Sequence, residues 1–282
     1  MPPEDDSPYP RYPAKRTRPA GVLWAALAVA ILGGGLAYYF RSKPGAPQVA
    51  PPARTDPAPS KPQASAEPAI RHPLAVAPAP EEKPLPALDE SDASLWQELA
   101  ALLGAKPLEA LLRPERIARN IVATIDNLPR EIAHARVNPV LPTPGAFEVQ
   151  REGGATVISP RNAQRYAARL RLLQSIDAKR LVDLYLRFYP LLQKAYGELG
   201  YPGRYFNDRV IEAIDDMLAA PDLMKPLQLV QPKVLYQYAD PALEARSAGQ
   251  KIMLRIGVGN EGLAKAKLRE IRREILGRAP KQ

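Results

Sequence analysis

Apolar residues occur along this chain in two arrangements, a continuous run near the start and periodic stripes from residue 88 onward. The run, Gly21 to Phe40, contains no charged side chain over its 20 residues. A helix of that length spans about 30 Å, which is the thickness of the hydrocarbon core of a bilayer. Trp24 near one end and the aromatic residues 38–40 at the other are typical of membrane interfaces. The run therefore predicts a transmembrane helix over residues 21–40.

Two other interpretations of this run are a buried core helix and a cleaved signal peptide. A buried helix needs apolar neighbours, whereas the flanking segments are polar and rich in proline. Arg41 is typical of a stop-transfer signal, and no Ala-x-Ala cleavage pattern follows the run, so we favour an uncleaved anchor. Basic residues are more numerous before the run than directly after it: Arg11, Lys15, Arg16 and Arg18 against Arg41 and Lys43. This bias predicts a single-pass membrane protein with a cytoplasmic tail, residues 1–20, and a C-terminal domain outside the cytoplasm.

Small residues repeat at a spacing of four inside the predicted span, at Ala26, Ala30 and Gly34. Such a stripe lets two transmembrane helices approach closely, so it predicts a homodimer through these residues. The alternative is that alanine and glycine are simply frequent in membrane helices.

Proline is distributed very unevenly along the chain. Of the 33 prolines, 19 lie in residues 1–86, and 13 of those lie in residues 41–86. That segment has few large apolar side chains, so it cannot bury enough surface to offset the entropy of ordering it. The composition predicts a disordered Pro/Ala-rich linker over residues 41–86, with a maximum reach of about 140 Å.

From Leu88 onward, apolar residues recur every three or four positions, which predicts a helical globular domain over residues 87–279. We expect about seven helices, the sixth running from Asp240 to about Ile256. Their starts are marked by capping residues or by a proline in the first turn: Ser91, Pro114, Ser159-Pro160, Asp177, Asn207, Asp240-Pro241 and Asn260. Alternation around Gly153-Gly154 predicts a small β-hairpin, and Leu227–Val230 and Val234–Tyr238 are predicted short strands. The predicted fold class is mainly α.

The composition excludes several kinds of site. The chain has no Cys and only two His, His72 and His134, which excludes disulfides, thiolate nucleophiles and Cys-based zinc sites and argues against a His triad. No phosphate-binding, dinucleotide-binding, nucleophile-elbow or zinc-protease motif is present. We therefore expect no cofactor and no metal, and we favour binding over catalysis.

The densest cluster of aromatic residues, Tyr185 to Phe206, leads into a Pro202-Gly203 turn followed by polar residues at a predicted helix start. Aromatic faces with a few polar groups are typical of sites that bind carbohydrate or peptide, and a helix N-terminus can hold an anion. The candidate binding residues are Tyr201, Arg204, Tyr205, Asn207, Asp208 and Arg209. The competing interpretation is that the rings are core and that Asn207 and Asp208 only cap and charge-match their helix.

A second functional hypothesis is a periplasmic cell-wall (peptidoglycan) hydrolase that uses carboxylates. The acidic residues around the same region are Glu198, Asp208, Glu212, Asp215 and Asp216. No motif fixes two carboxylates across a cleft, as glycoside hydrolysis requires. Glu212 and Asp216, at a spacing of four, are typical of a solvated acidic helix face.

A third hypothesis is nucleic-acid binding, which the formal net charge of +9 favours only if the topology is reversed. The polar side of the final predicted helix carries six cations: Lys265, Lys267, Arg269, Arg272, Arg273 and Arg278. Most such basic faces only keep a protein soluble, and in the periplasm the face would meet anionic envelope polymers or an acidic partner instead.

Five segments, in order along the chain, carry a resemblance to a known family: Asp126–Pro129, Arg187–Leu191, Glu198–Arg209, Leu229–Tyr236 and Ser247–Lys251. They resemble the bacterial family catalogued as domain of unknown function 3014, over roughly residues 85–276. The resemblance implies a membrane helix, a Pro/Ala-rich linker and a C-terminal domain in Gram-negative bacteria, and it implies no activity, cofactor or catalytic residue. The resemblance leaves function open. From the predicted anchor, the linker and the missing catalytic motifs, we expect a bacterial inner-membrane-anchored envelope protein with a periplasmic helical domain that binds a protein or cell-wall partner and is not an enzyme.

Overall fold

Helices dominate this computed structural model, which describes residues 69–75, 84–132 and 137–280. After a 3-10 turn at Leu88–Glu90, the described residues form nine α-helices: α1 Asp92–Leu103, α2 Ala105–Glu109, α3 Ile117–Asn127, α4 Arg161–Ser175, α5 Ala178–Glu198, α6 Phe206–Leu218, α7 Pro241–Glu244, α8 Ala248–Arg255 and α9 Val258–Leu276. The predicted transmembrane helix, residues 21–40, lies outside the described residues. Within those residues, no helix is both long and apolar enough to span a bilayer.

Helix α5 lies at the centre of the core and packs against α3, α6 and α9. Its start is confirmed at Asp177, whose carboxylate accepts a hydrogen bond from the Arg180 N–H at 2.7 Å. Pro190 lies inside α5 without ending it. Leu181, Leu184 and Phe188, a stripe that the spacing predicts, are at most 1% exposed.

The four strands form one antiparallel sheet in chain order: β1 Val149–Glu152, β2 Ala155–Ile158, β3 Gln228–Val230 and β4 Gln237–Tyr238. The predicted hairpin is confirmed, with Glu152 opposite Ala155 across the Gly153-Gly154 turn. Strand β3 pairs with β2 through Thr156 and Leu229. The sheet covers a second, smaller apolar cluster that includes Leu229, Tyr238 and Leu254 of α8.

Helix α3 begins three residues later than the sequence predicts, at Ile117 rather than at Pro114. Arg116 has the left-handed φ of 53°, so the chain turns sharply there before the helix starts. The carboxylate of Asp92 in α1 accepts hydrogen bonds from the Arg116 N–H at 2.6 Å and the Ile117 N–H at 2.8 Å. The cap of α3 is therefore a residue from another helix.

The predicted helix from Asp240 to Ile256 is two helices, α7 and α8. Asp240 caps α7, as predicted, by accepting from the Ala242 N–H at 2.8 Å. Ser247 then caps α8 by accepting from the Gln250 N–H at 3.1 Å. The prediction for Asn260 is wrong, because α9 begins earlier and the Asn260 side chain donates to backbone carbonyls of Ala163 and Ile256.

Two of the six cations assigned to the polar side of the last helix are buried, which corrects that prediction. Lys265 is 3% exposed and its ammonium lies 2.9 Å from the Glu261 carboxylate and 2.7 Å from that of Asp222. Lys267 is 7% exposed and donates to the Ile176 carbonyl at 2.9 Å. Partners inside the protein compensate both charges, so the last helix presents fewer cations to solvent than the sequence predicts. This weakens the hypothesis of nucleic-acid binding.

Candidate functional site

The last turn of α3 places a carboxylate between two guanidinium groups. The side chain of Asp126 is 7% exposed, and its Oδ1 accepts from Arg209 Nε at 3.0 Å. Its Oδ2 accepts from Arg130 at 2.8 Å. Burying a carboxylate is costly unless it is paired, so both cations belong to the packing of α3 against α6. This network is the floor of the candidate site.

Tyrosine rings form one wall. The ring of Tyr201 stacks on that of Tyr196, with centroids 4.7 Å apart and planes inclined by 26°. The guanidinium of Arg204 lies 5.6 Å from the centroid of the Tyr201 ring, within the range of a cation–π contact. The Tyr201 hydroxyl reaches the floor and contacts Arg130. The last turn of α5 and the segment after it therefore bring two rings and a cation into contact.

The start of α6 corrects the capping prediction for Asn207. Helix α6 begins at Phe206, and its first amides are satisfied by α5: Phe206 N–H donates to Gln193 Oε1 at 2.8 Å, and Asn207 N–H donates to the Tyr189 hydroxyl at 3.3 Å. The Asn207 side chain is 1% exposed and accepts from the Tyr185 hydroxyl at 2.9 Å. Asn207 is therefore a buried bridge between helices and not a cap.

A short stretch of the predicted linker, residues 69–75, lies against the domain; we call it the docked segment. Asp208 accepts from the backbone N–H groups of Arg71 at 3.1 Å and His72 at 2.7 Å. The His72 carbonyl accepts from Asn207 at 2.8 Å, and the Tyr205 hydroxyl accepts from the Leu74 N–H at 3.3 Å. The Leu74 side chain is 8% exposed and joins the main core. The domain thus holds a short peptide segment, with a bend at Arg71 and His72, through its backbone and one apolar side chain.

Floor, wall and docked segment enclose a cleft of about 250 Å³. Its lining residues are Ala69, Arg71, Asp126, Arg130, Tyr196, Tyr201, Arg204, Tyr205, Asp208, Arg209 and Glu212. Five of the six predicted binding residues line it, and Asn207 does not. Sequence reasoning missed Ala69, Arg71, Asp126, Arg130 and Tyr196 as site residues, although Asp126 opens one of the segments that carry the family resemblance.

The aromatic cluster divides between core and cleft. Tyr185 and Phe188 are fully buried and Tyr189 is 4% exposed, so the core interpretation holds for the first part of the cluster. Burial raises the pKa of Tyr185 and Tyr189, and burial followed by the nearby Asp126 carboxylate raises that of Tyr196. These phenols stay neutral at physiological pH. Tyr201 and Tyr205 are half-buried and face the cleft.

The carboxylates in the cleft are all engaged as acceptors. Asp126 holds two arginines, Glu212 lies 2.9 Å from Arg209, and Asp208 accepts two backbone amides. The expectation that Asp216 faces solvent beside Glu212 is wrong, because Asp216 accepts from Ser247 and Gln250 of α8. A hydrolase needs one carboxyl group that is free to give a proton to the leaving oxygen, and these contacts give that chemistry no support.

The rim of the cleft carries positive charge. Arg71 and Arg204 are exposed, and within the described part of the chain neither guanidinium forms an ion pair. In the same part of the chain, no group of three or more His, Asp or Glu side chains is arranged to hold a metal ion. The arrangement is suited to binding a ligand with an anionic group.

Three of the segments that carry the resemblance meet at this place: residues 126–129, 198–209 and 247–251. The Gly249 N–H of the last segment donates to the Leu128 carbonyl at 2.8 Å, and the Ala248 N–H to the Arg130 carbonyl at 2.6 Å. A Cβ on Gly249 would lie 2.8 Å from Met217 Cγ, so the close approach of α8 to α6 requires glycine. The floor of the cleft is thus held from behind by α8.

Comparison with known proteins gives one match. The model of the family described as "Protein of unknown function (DUF3014)" matches residues 117–272, more than half of the chain. No curated protein and no solved structure matches the chain. The matched range includes the floor and the wall of the cleft and leaves out the docked segment.

Proposed function

Because the chain belongs to the DUF3014 family, whose function is unknown, we propose a function from the cleft itself: the helical domain is a binding module for a protein or cell-wall partner. The observation that carries the proposal is the contact of Arg204 with Tyr201, whose ring stacks on Tyr196 and whose hydroxyl contacts Arg130 of the Asp126 network. It offers flat apolar faces, a cation and hydrogen-bonding groups within one small cleft. Sites of this kind fix a ligand in one orientation.

The rest of the chain fits a tethered binder. We propose that residues 21–40 anchor it in the bacterial inner membrane and that the linker lets the domain act away from the membrane surface. The docked segment would then be the point at which the linker joins the domain. A binding module on a tether gains effective concentration for partners within its reach.

A cross-linking experiment tests the binding function. The full chain is expressed in its host, cross-linked in intact cells and recovered, alongside the variants Arg204→Ala and Tyr201→Ala. We expect a defined set of cross-linked envelope proteins, or of cell-wall fragments, that both variants lose. Arg273→Ala is the control, because Arg273 is exposed on α9 and does not line the cleft. The same products from all four chains, or no product from any of them, would contradict the proposal.

A reporter fusion tests the location. Alkaline phosphatase fused after Gln282 is active only when it is exported, so activity supports the periplasmic location of the domain. An inactive phosphatase together with an active cytoplasmic reporter at the same position would reverse the topology and revive the nucleic-acid hypothesis.

A further inference from the structure

The cleft has the features of a site for one class of ligand. We propose that it binds an acidic segment of a protein partner, with Arg204 and Arg71 as the contacts for the carboxylates of that segment. This inference rests on the proposed binding function and names its ligand.

The two rim arginines supply the first part of the argument. Both are exposed, and neither has an anionic partner among the described residues, whereas Arg130 and Arg209 are held by Asp126. The Arg204 guanidinium also lies 5.6 Å from the centroid of the Tyr201 ring, and within the described residues its N–H groups donate no hydrogen bond. A planar guanidinium binds a carboxylate with two parallel hydrogen bonds, which adds geometric specificity.

The floor of the cleft does not repel such a ligand. The cleft contains three carboxylates, and each is already turned toward a donor: Asp126 to Arg130 and Arg209, Glu212 to Arg209, and Asp208 to backbone amides. Four arginines against these three acids leave the lining with one excess positive charge. The excess lies at the rim, where an incoming ligand first makes contact.

The docked segment shows why the ligand is a peptide. It lies beside the cleft, and its backbone groups form hydrogen bonds with the side chains of Asp208, Asn207 and Tyr205. Its first described residue, Ala69, lines the cleft. This face of the domain therefore already pairs with a polypeptide, and the cleft continues the same surface. Tyrosine rings are also suited to packing against planar peptide groups.

The same contacts make the site composite. Arg71 reaches the cleft only because the docked segment is held by Asp208 and by the buried Leu74. Binding of an acidic ligand to Arg71 therefore stabilises the docked state, and by linkage the docked state strengthens binding. Release of the docked segment should therefore weaken binding of the acidic ligand, just as removal of the Arg71 side chain should.

A random hexapeptide library tests the ligand class. The full chain is immobilised in detergent, and the Asp and Glu content of the retained peptides is compared with that of the input. One charge-assisted hydrogen bond changes affinity about tenfold, so we expect acidic residues to be enriched by about that factor at one or more positions. Arg204→Ala and Arg71→Ala should lose the enrichment, as should 0.5 M salt, while Arg273→Ala keeps it.

Each outcome decides the inference. Retained peptides without acidic enrichment, or enrichment that survives Arg204→Ala, would overturn it. Cell-wall sacculi serve as a separate probe: if they are retained through Arg204 while acidic peptides are not, the binding function stands and the ligand class is wrong. If acidic peptides bind but the cells yield no cross-linked partner, the ligand class stands and the proposed function fails.

Discussion

The backbone N–H of His72 donates to Oδ1 of Asp208 over 2.7 Å, and this contact joins the predicted linker to the first turn of α6. The Arg71 N–H donates to the other carboxylate oxygen at 3.1 Å. One side chain therefore holds two consecutive amides of a segment that composition alone assigns to a disordered linker. The folded domain includes residues 69–75 as well as the helices from Asp92 onward.

Asp208→Ala should release the docked segment while leaving the helical core folded. The change removes the acceptor of two amides, although Leu74 keeps its apolar contact. We expect the amides of Arg71 and His72 to exchange at least about tenfold faster, since each hydrogen bond to a charged carboxylate contributes about 1.5 kcal/mol or more. Hydrogen exchange followed by mass spectrometry measures this.

Glu212→Ala is the control for that experiment, because Glu212 lies on the same helix and lines the cleft but, among the described residues, forms no hydrogen bond or ion pair with the docked segment. It should leave the exchange of residues 69–75 unchanged. Equal protection in Asp208→Ala and in the unaltered chain would mean that the remaining contacts hold the segment: buried Leu74 and the hydrogen bonds to Asn207, Tyr205 and the Arg278 carbonyl.

Asp126→Ala should be the most destabilising change in the cleft. It removes one of the two carboxylates that pair with the Arg209 guanidinium, whose side chain is 14% exposed, and leaves Glu212 at 2.9 Å. Because Glu212 still compensates part of the charge, we expect a loss of about 2 kcal/mol, below the cost of a fully unpaired buried charge. Asp215→Ala removes an exposed pair with Arg272 and should cost less than about 1 kcal/mol. Urea unfolding of the purified chains measures both, and equal losses would show that the Asp126 network is not the anchor of α3 on α6.

Local signals in the sequence identified the helices and the hairpin, because these depend on neighbours along the chain. Asp177 caps α5 from the adjacent position, and Gly153-Gly154 turns the hairpin with both residues at positive φ. The cap of α6 could not be predicted in this way. The acceptor for the Phe206 N–H is Gln193, which lies 13 positions earlier on another helix. Asn207, the candidate cap in the local sequence, is therefore not needed at the helix start and is buried.

The site was only partly predictable for the same reason. Residues 201–209 are adjacent in sequence and were found together. Asp126 and Arg130 join them only through the packing of α3 against α6, and the docked segment joins them from more than 130 positions away. Lys265 is a similar case, because one of its two carboxylate partners, Asp222, is 43 positions away and no local pattern distinguishes it from a solvated lysine.

Gly249→Ala and Gly262→Ala should change stability in opposite directions. A Cβ at Gly249 would lie 2.8 Å from Met217 Cγ and 3.3 Å from the Leu128 carbonyl oxygen, so α8 must move away from α6 at a cost of about 1–3 kcal/mol. Gly262 lies inside α9 with nothing within 4 Å of an added Cβ. Alanine there should stabilise the helix by up to about 1 kcal/mol. Thermal unfolding of both variants tests these predictions. A loss of stability in Gly262→Ala would mean that position 262 does not behave as an unobstructed position inside α9.

Asp216 should make stability depend on pH in the direction opposite to that of an ordinary ion-paired carboxylate. Burial raises its pKa, and hydrogen bonds from Ser247 and Gln250 offset this only in part. The folded chain therefore keeps the proton at pH values where the unfolded chain has lost it. The contribution of this group is fully present below the unfolded pKa of about 4 and decreases as the pH rises toward the folded pKa.

Asp216→Asn removes this titration and keeps an oxygen that accepts a hydrogen bond. The variant should therefore gain stability relative to the unaltered chain as the pH is raised from 4 to 7, which urea unfolding at several pH values measures. Asp215→Asn is the control for a lost charge, since Asp215 is exposed and paired with Arg272. If the Asp216 variant instead lost stability relative to the unaltered chain as the pH rises, the hydrogen bonds from α8 would outweigh the cost of burying the charge.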